Sequence, residues 1–150
     1  MAMVAGVGCL TGWLGYQAHQ THAQSQQRHL YLQTARQAAL NLTTISYTEV
    51  DADVQRILDS TTGVFHDDFQ RRSQPFVDVV KQSQSTSVGT VTEAGLESTD
   101  GNGAQALLSV SVKTSRSATG KEPQPHSWRM RIGVQKVGGE VKVASVQFVP

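Results

Sequence analysis

The side chains that could do chemistry are few. Tyr47, Asp51 and Asp53 put a phenol and two carboxylates in one short segment, the residue types a proton-transfer site uses. His66, Asp67 and Asp68 would suit a metal or an acid/base pair. His19, His22 and His29 stand three and seven residues apart, close to one helix face. His126 lies beside Pro125, and Cys9 is the single cysteine, so no intramolecular disulfide can form. Each group has a plainer explanation. Adjacent helical residues point in different directions, so His66, Asp67 and Asp68 cannot converge and read as a solvated face. No carboxylate joins the three early histidines, and no Ser or Cys nucleophile pattern accompanies His126. Asp51 suits the N-cap of a short helix and Asp53 its positive first turn, with Arg56 able to pair with an acidic neighbour. Tyr47 can close a helix end by burying its ring and bonding its hydroxyl. No P-loop, dinucleotide fingerprint or zinc spacing occurs. The expectation is a protein that is no enzyme, with no catalytic residue, cofactor or metal.

Composition narrows the class further. Net charge is +1 and aromatics make up 6% of 150 residues, which offers nucleic acid neither a basic footprint nor stacking platforms. Residues 1–18 contain no charged side chain, whereas the remainder is polar and long enough for one domain with its own core. A spanning helix needs about 20 apolar residues. Met3–Tyr16 is slightly short and rich in glycine, with Trp13 and Tyr16 placed as an interface belt at its exit. A single-pass signal anchor fits it best. The alternatives are a cleaved signal peptide, which would need a basic leading region, and a lipoprotein signal ending at Cys9, whose preceding Gly6-Val7-Gly8 lacks the usual leucine. No Lys or Arg precedes the run, as expected if a basic tail had been lost through a start assigned too late. Gly8 and Gly12 form a small-xxx-small pair. Together with Trp13, Gly15 and Tyr16 they are the expected partner-binding face of the anchor.

The elements that must position these residues follow from periodicity. Residues 17–47 read as one long helix, polar at first, with Leu32, Ala35, Ala39, Leu42 and Ile45 as an apolar stripe. A short helix runs from Ala52 to Ser60. A third runs from Val64 to Gln84, with Val64, Phe65, Phe69, Phe76, Val77 and Val80 as its core and a kink or restart at Pro75. The period then changes to two. Strands are expected at Thr86–Ser98, Ala104–Ser115, Trp128–Val137 and Val141–Val149, with a hairpin turn at Asp100–Gly103 and a bulge near Ala144. The inward positions are Leu108, Val110, Trp128, Met130 and Ile132. The result is an α+β chain: a single N-terminal transmembrane helix, then helices packed on a curved antiparallel four-stranded sheet, a cystatin-like or nuclear-transport-factor-like cone. Three parts are expected: an anchor over 1–18, a juxtamembrane helical stalk over 19–31, and an extracytoplasmic cone domain over 32–150.

The segment Ile45-Ser46-Tyr47, Asp51-Ala52-Asp53-Val54-Gln55-Arg56-Ile57-Leu58 and Thr62-Gly63-Val64-Phe65 with Phe69 resembles the Mce-associated membrane proteins of actinobacteria. Ser87–Val91 is similar to that family's first strand, and the run from Trp128 to Val143 to its final hairpin. The aromatic residue usual after the last turn is replaced here by Val141 or Val143. Tyr47, Asp51, Asp53, Arg56, Gly63 and Phe65 carry the motif as structural residues. The resemblance implies a non-catalytic accessory or stabilising subunit of an Mce-type lipid import complex, moving fatty acid or sterol across a mycobacterial-type envelope. Its partners would be the permease and substrate-binding Mce proteins, the membrane and a lipid. It implies a single-pass location in the inner membrane with the C-terminal domain outside the cytoplasm. Two other readings stay open: a lipid-binding carrier or cone-fold enzyme for a small apolar substrate, and a type IV secretion-like inner-membrane scaffold. The apolar inward positions favour a packed core or a lipid-holding cleft over catalysis.

Overall fold

Two periods divide the molecule, helical before Gln84 and alternating after it. The computed structural model describes residues 2–117, 119, 120 and 122–150, with residues 2–14 by their backbone alone. Helix α1 spans Ala2–Thr43, followed by strand β1 (Ile45–Ser46), helix α2 (Val50–Asp59) and helix α3 (Gly63–Ser83). Strands β2 (Ser85–Thr99), β3 (Gly103–Arg116), β4 (Pro125–Val137) and β5 (Glu140–Val149) complete the chain. All neighbours pair antiparallel, in the order β1-β2-β3-β4-β5. The fold is α+β with a curled sheet, as its alternation predicts, but the sheet has five strands rather than four.

The extra strand lies where the sequence reads as helix. The β-branched pair Thr43-Thr44 lowers helix propensity, and α1 stops there. The Thr44 hydroxyl then accepts the Gly89 N–H at 3.2 Å, while Ile45 and Ser46 pair with Ser87 and Thr86. Gly89 permits this junction, because a Cβ there would overlap the Thr43 side chain.

Tyr31, Ala35, Ala38 and Ala39 bring α1 down onto the concave face of the sheet. They meet Ala106, Leu108 and Val110 of β3, Met130, Ile132 and Val134 of β4, and Val143 of β5. Small alanines allow this close approach, and the fully buried Leu108, Met130 and Ile132 fill the space between. A second cluster, Ile45, Val50, Val54, Ile57, Val77 and Val80, joins β1 to α2 and α3.

Several sequence expectations hold here. Asp100 accepts the Asn102 and Gly103 N–H groups and closes the β2–β3 hairpin. The β4–β5 register slips where Gly133 faces Ser145 but Val134 faces Val143, leaving Ala144 as the bulge. Others need correction. Val64 is 75% exposed and Phe76 38%, so the α3 core is Val77 and Val80, with Phe65 and Phe69 half-buried. Pro75 does not restart α3, which runs unbroken from Gly63 to Ser83. Trp128 is 49% exposed, because α1 ends before it can cover that end of β4. Among the described residues no helix is long and apolar enough to cross a membrane, so the structure does not show the expected spanning segment.

Candidate interaction site

The motif around Tyr47 and Asp53 forms a clasp between β1 and α2. Asp53 is the one charged side chain buried among the described residues. One of its oxygens accepts the Ser46 N–H at 3.0 Å and the other accepts from Arg56 Nη2 at 3.0 Å. A buried carboxylate needs such donors, and here they tie β1 to α2. Asp51 is not the N-cap that its position suggests. Glu49 occupies that place without a side-chain bond, because the helix begins two residues before Ala52, at the buried Val50. The Asp51 carboxylate instead meets Lys81 Nζ at 2.6 Å, across to α3. Tyr47 ends no helix. It follows β1, its backbone N–H donates to Ser85 O at 3.0 Å, and its ring packs on the second cluster. Gly63 opens α3 at φ +66°, a left-handed value that a side chain disfavours. Phe65 then packs against the main core and stands 6.2 Å from Phe69.

The remaining chemistry-bearing residues meet at most in pairs among the described residues. His66 touches Asp67 at an exposed position, and Asp68 turns to Arg71. Among the described residues no three His, Cys, Asp or Glu side chains are placed to hold a metal. The buried Tyr31 hydroxyl accepts from Gln27 Nε2 at 2.6 Å. On the outer face, Arg131 donates twice to Glu97, at 2.6 and 3.0 Å. That pair holds the Glu97 carboxyl below its usual range, chiefly through the hydrogen bond, against some desolvation.

Of the proposed anchor face, Gly8, Gly12 and Trp13 are described by their backbone alone, so their burial and contacts lie outside the described part. At Gly15 there is open space, and Tyr16 is 65% exposed with its hydroxyl accepting from Gln20. Helix α1 is exposed from Gly15 to Gln26 and joins the core at Tyr31. Leu30 faces solvent and Tyr31 faces in, the reverse of what leucine's greater hydropathy suggests.

Sequence reasoning left a packed core and a cleft as alternatives, and did not place the cleft. Beyond the end of α1 the concave face stays open as a cleft of about 380 Å³. Leu42, Ile45, Phe76, Val112, Trp128 and Phe148 line it. Trp128 and Phe148 meet edge to face, with centroids 5.6 Å apart. The signal was present in β4, where the apolar alternation extends past the stretch of sheet that one helix can cover.

A family model described as "Uncharacterized protein Rv1363c/MT1408-like" matches residues 1–150. The chain belongs to this Rv1363c/MT1408-like family. One relative, the "Uncharacterized protein Rv1363c" of Mycobacterium tuberculosis, is 33% identical over 150 residues, covering 100% of this chain and 57% of the relative. The chain therefore spans a little over half the length of that curated relative. Among solved structures, an IcmL-like type IV secretion system protein from Legionella pneumophila superposes with TM-score 0.68 at 17% identity, covering 82% of this chain and 92% of that one. The periplasmic domain of DotI gives 0.64 at 15% identity, over 79% and 92%. CagV of Helicobacter pylori, a VirB8 homolog, gives 0.63 at 8% identity, over 81% and 97%. At these identities the likeness shows that the Rv1363c/MT1408-like chain shares their fold.

Proposed function

We propose that this chain is a non-catalytic assembly subunit of a cell-envelope complex, built as a type IV secretion-like scaffold domain on a long helix. The observation that supports it is the cone's interior. Where related folds could hold a substrate, Leu108, Met130, Ile132 and Tyr31 are under 2% exposed and fill the space. The Tyr31 hydroxyl is held by Gln27, and the Asp53 carboxylate serves the β1–α2 clasp. A domain of this kind works through its surfaces. The structural neighbours, secretion-system proteins and periplasmic domains by name, fit that role. In this reading residues 1–18 attach the chain to the inner membrane, 19–31 are the stalk, and 32–150 lie outside the cytoplasm. Gly8, Gly12, Trp13, Gly15 and Tyr16 are the face that meets neighbouring helices.

A second reading keeps the same architecture and changes the complex to an Mce-type lipid importer, with its permease and Mce-domain subunits as partners. It rests on the motif from Ile45 to Phe69, whose Asp53 and Arg56 are joined in the clasp. Native gel analysis of the detergent-solubilised full chain tests what the two share. The chain is expected in an assembly far larger than itself, and Gly12→Leu should shrink that assembly while the domain stays folded. Migration as an isolated small species would contradict both readings.

A further inference from the structure

The turn between β2 and β3 carries chemistry of its own. It reads Asp100-Gly101-Asn102-Gly103. An asparagine followed by glycine can modify itself, since glycine has no side chain to shield its nitrogen or to restrict its backbone. The Gly103 nitrogen attacks Asn102 Cγ. The N–Cγ bond forms, the Cγ–Nδ2 bond breaks, and the proton of the attacking nitrogen leaves with ammonia. Water then opens the succinimide ring to aspartate or isoaspartate. Asn102 is exposed at the tip of the turn, so water reaches it. The one other asparagine, Asn41, is buried within α1 and precedes the bulkier Leu42.

The fold opposes this reaction. The Gly103 N–H donates to Asp100 Oδ1 at 2.8 Å, and the Asn102 N–H donates to the same oxygen at 2.7 Å. Attack requires the Gly103 nitrogen to shed its proton, and a carboxylate beside it disfavours the anion that results. The peptide between Asn102 and Gly103 must also turn to bring its nitrogen onto Cγ. Asn102 O accepts the Lys136 N–H at 2.7 Å and Gly103 O accepts the Asp100 N–H at 2.9 Å, which fixes both sides of that peptide. Gly103 is buried, and a Cβ there would overlap Val134 O, so the backbone has no room to swing. We propose that Asn102–Gly103 is a site of spontaneous deamidation that the folded hairpin holds closed, with Asp100 as the latch. Opening the hairpin exposes the site to modification. The change is then permanent, because isoaspartate adds a carbon to the backbone and sets a second carboxylate beside Asp100. A chain modified there loses the bonds that close β2 onto β3. This site stands independently of the assembly role.

The test follows the conversion of Asn102 by peptide mass mapping of the full chain held in mildly alkaline buffer. The amide should persist in the folded chain. In guanidinium chloride its conversion should speed up by about tenfold or more, because reacting atoms held out of line lose at least that much rate. Asp100→Ala should bring a similar acceleration, about tenfold, while circular dichroism still reads a folded chain. Asp100→Ser keeps a weaker acceptor in the turn and should fall between the two. Ile132→Ala weakens the core away from the turn and should stay near the parent rate while folded. The proposal is overturned by equal rates in the folded and unfolded parent, or by a folded Asp100→Ala as slow as the parent. A slower rate in Asp100→Ala also overturns it, since Asp100 would then promote the reaction as a base. Equal acceleration in Asp100→Ala and Ile132→Ala overturns the latch and assigns protection to global stability. Should Asp100→Ala not fold, Asp100→Ser decides the same question.

Discussion

The two ends of one sheet make the useful comparison in this molecule. At the α1 end, Tyr31, Ala35 and Ala39 close over Leu108, Met130 and Ile132, and all six side chains are buried. At the other end the same strands continue the same alternation through Val112, Trp128 and Phe148, but α1 has stopped at Thr43. One end is a core and the other a surface, although their residues are alike. Alternation therefore tells which face of a strand is apolar. It does not tell what covers that face.

The sharpest way to break this comparison is to shorten matched side chains at each end. Ile132→Ala should cost about 2–5 kcal/mol in urea unfolding, because the packed end cannot collapse around the loss. Phe148→Ala should cost about 1 kcal/mol or less, since most of that ring is already in water. Equal costs would show that the open end is packed in solution.

The clasp gives the next largest effect. Asp53→Ala leaves the Ser46 N–H without its acceptor and Arg56 without its partner, so a loss of about 1–3 kcal/mol is expected. Asp51→Ala, whose pair with Lys81 is exposed, should change stability by about 0.5 kcal/mol or less. Similar losses for both would contradict the separation between the two carboxylates. At Gly63, an alanine must adopt φ near +66°, which should cost about 1–2 kcal/mol, read as a lowered melting temperature.

The smallest effect is electrostatic. Glu97 has its carboxyl pKa lowered in the folded chain, so its bond to Arg131 contributes stability above the ordinary carboxylate range. That contribution is lost as pH falls through the lowered folded value. Glu97→Gln should therefore lower the melting temperature slightly at neutral pH. The difference from the parent chain should vanish in strong acid, and a gap that persists there would assign the effect to packing instead.

Much of this architecture was legible in the sequence. The run Ala104, Ala106, Leu108, Val110 and Val112 alternates without a break, and the phase change at Ala144 marks its bulge, so both follow from local pattern. Strand β1 was not legible. Two residues carry no period, and Ile45 falls three after Leu42, at helical spacing, so only pairing with Ser87 and Thr86 makes it a strand. Asp51 and Asp53 look interchangeable along the chain. They differ because Asp53 turns inward to Ser46 and Asp51 outward to Lys81, thirty residues away. The cleft depends on where α1 ends above the sheet, a relation between distant segments that no window of sequence contains.

Affinity purification of the tagged full-length protein from native membranes, with mass spectrometry of the proteins that accompany it, tests the assembly role most directly. The account predicts stable recovery of membrane-complex subunits. Secretion-type components would support the scaffold reading, and a permease with Mce-domain proteins the importer reading. Recovery of the protein alone, under conditions that keep a known envelope complex intact, would contradict the assembly role.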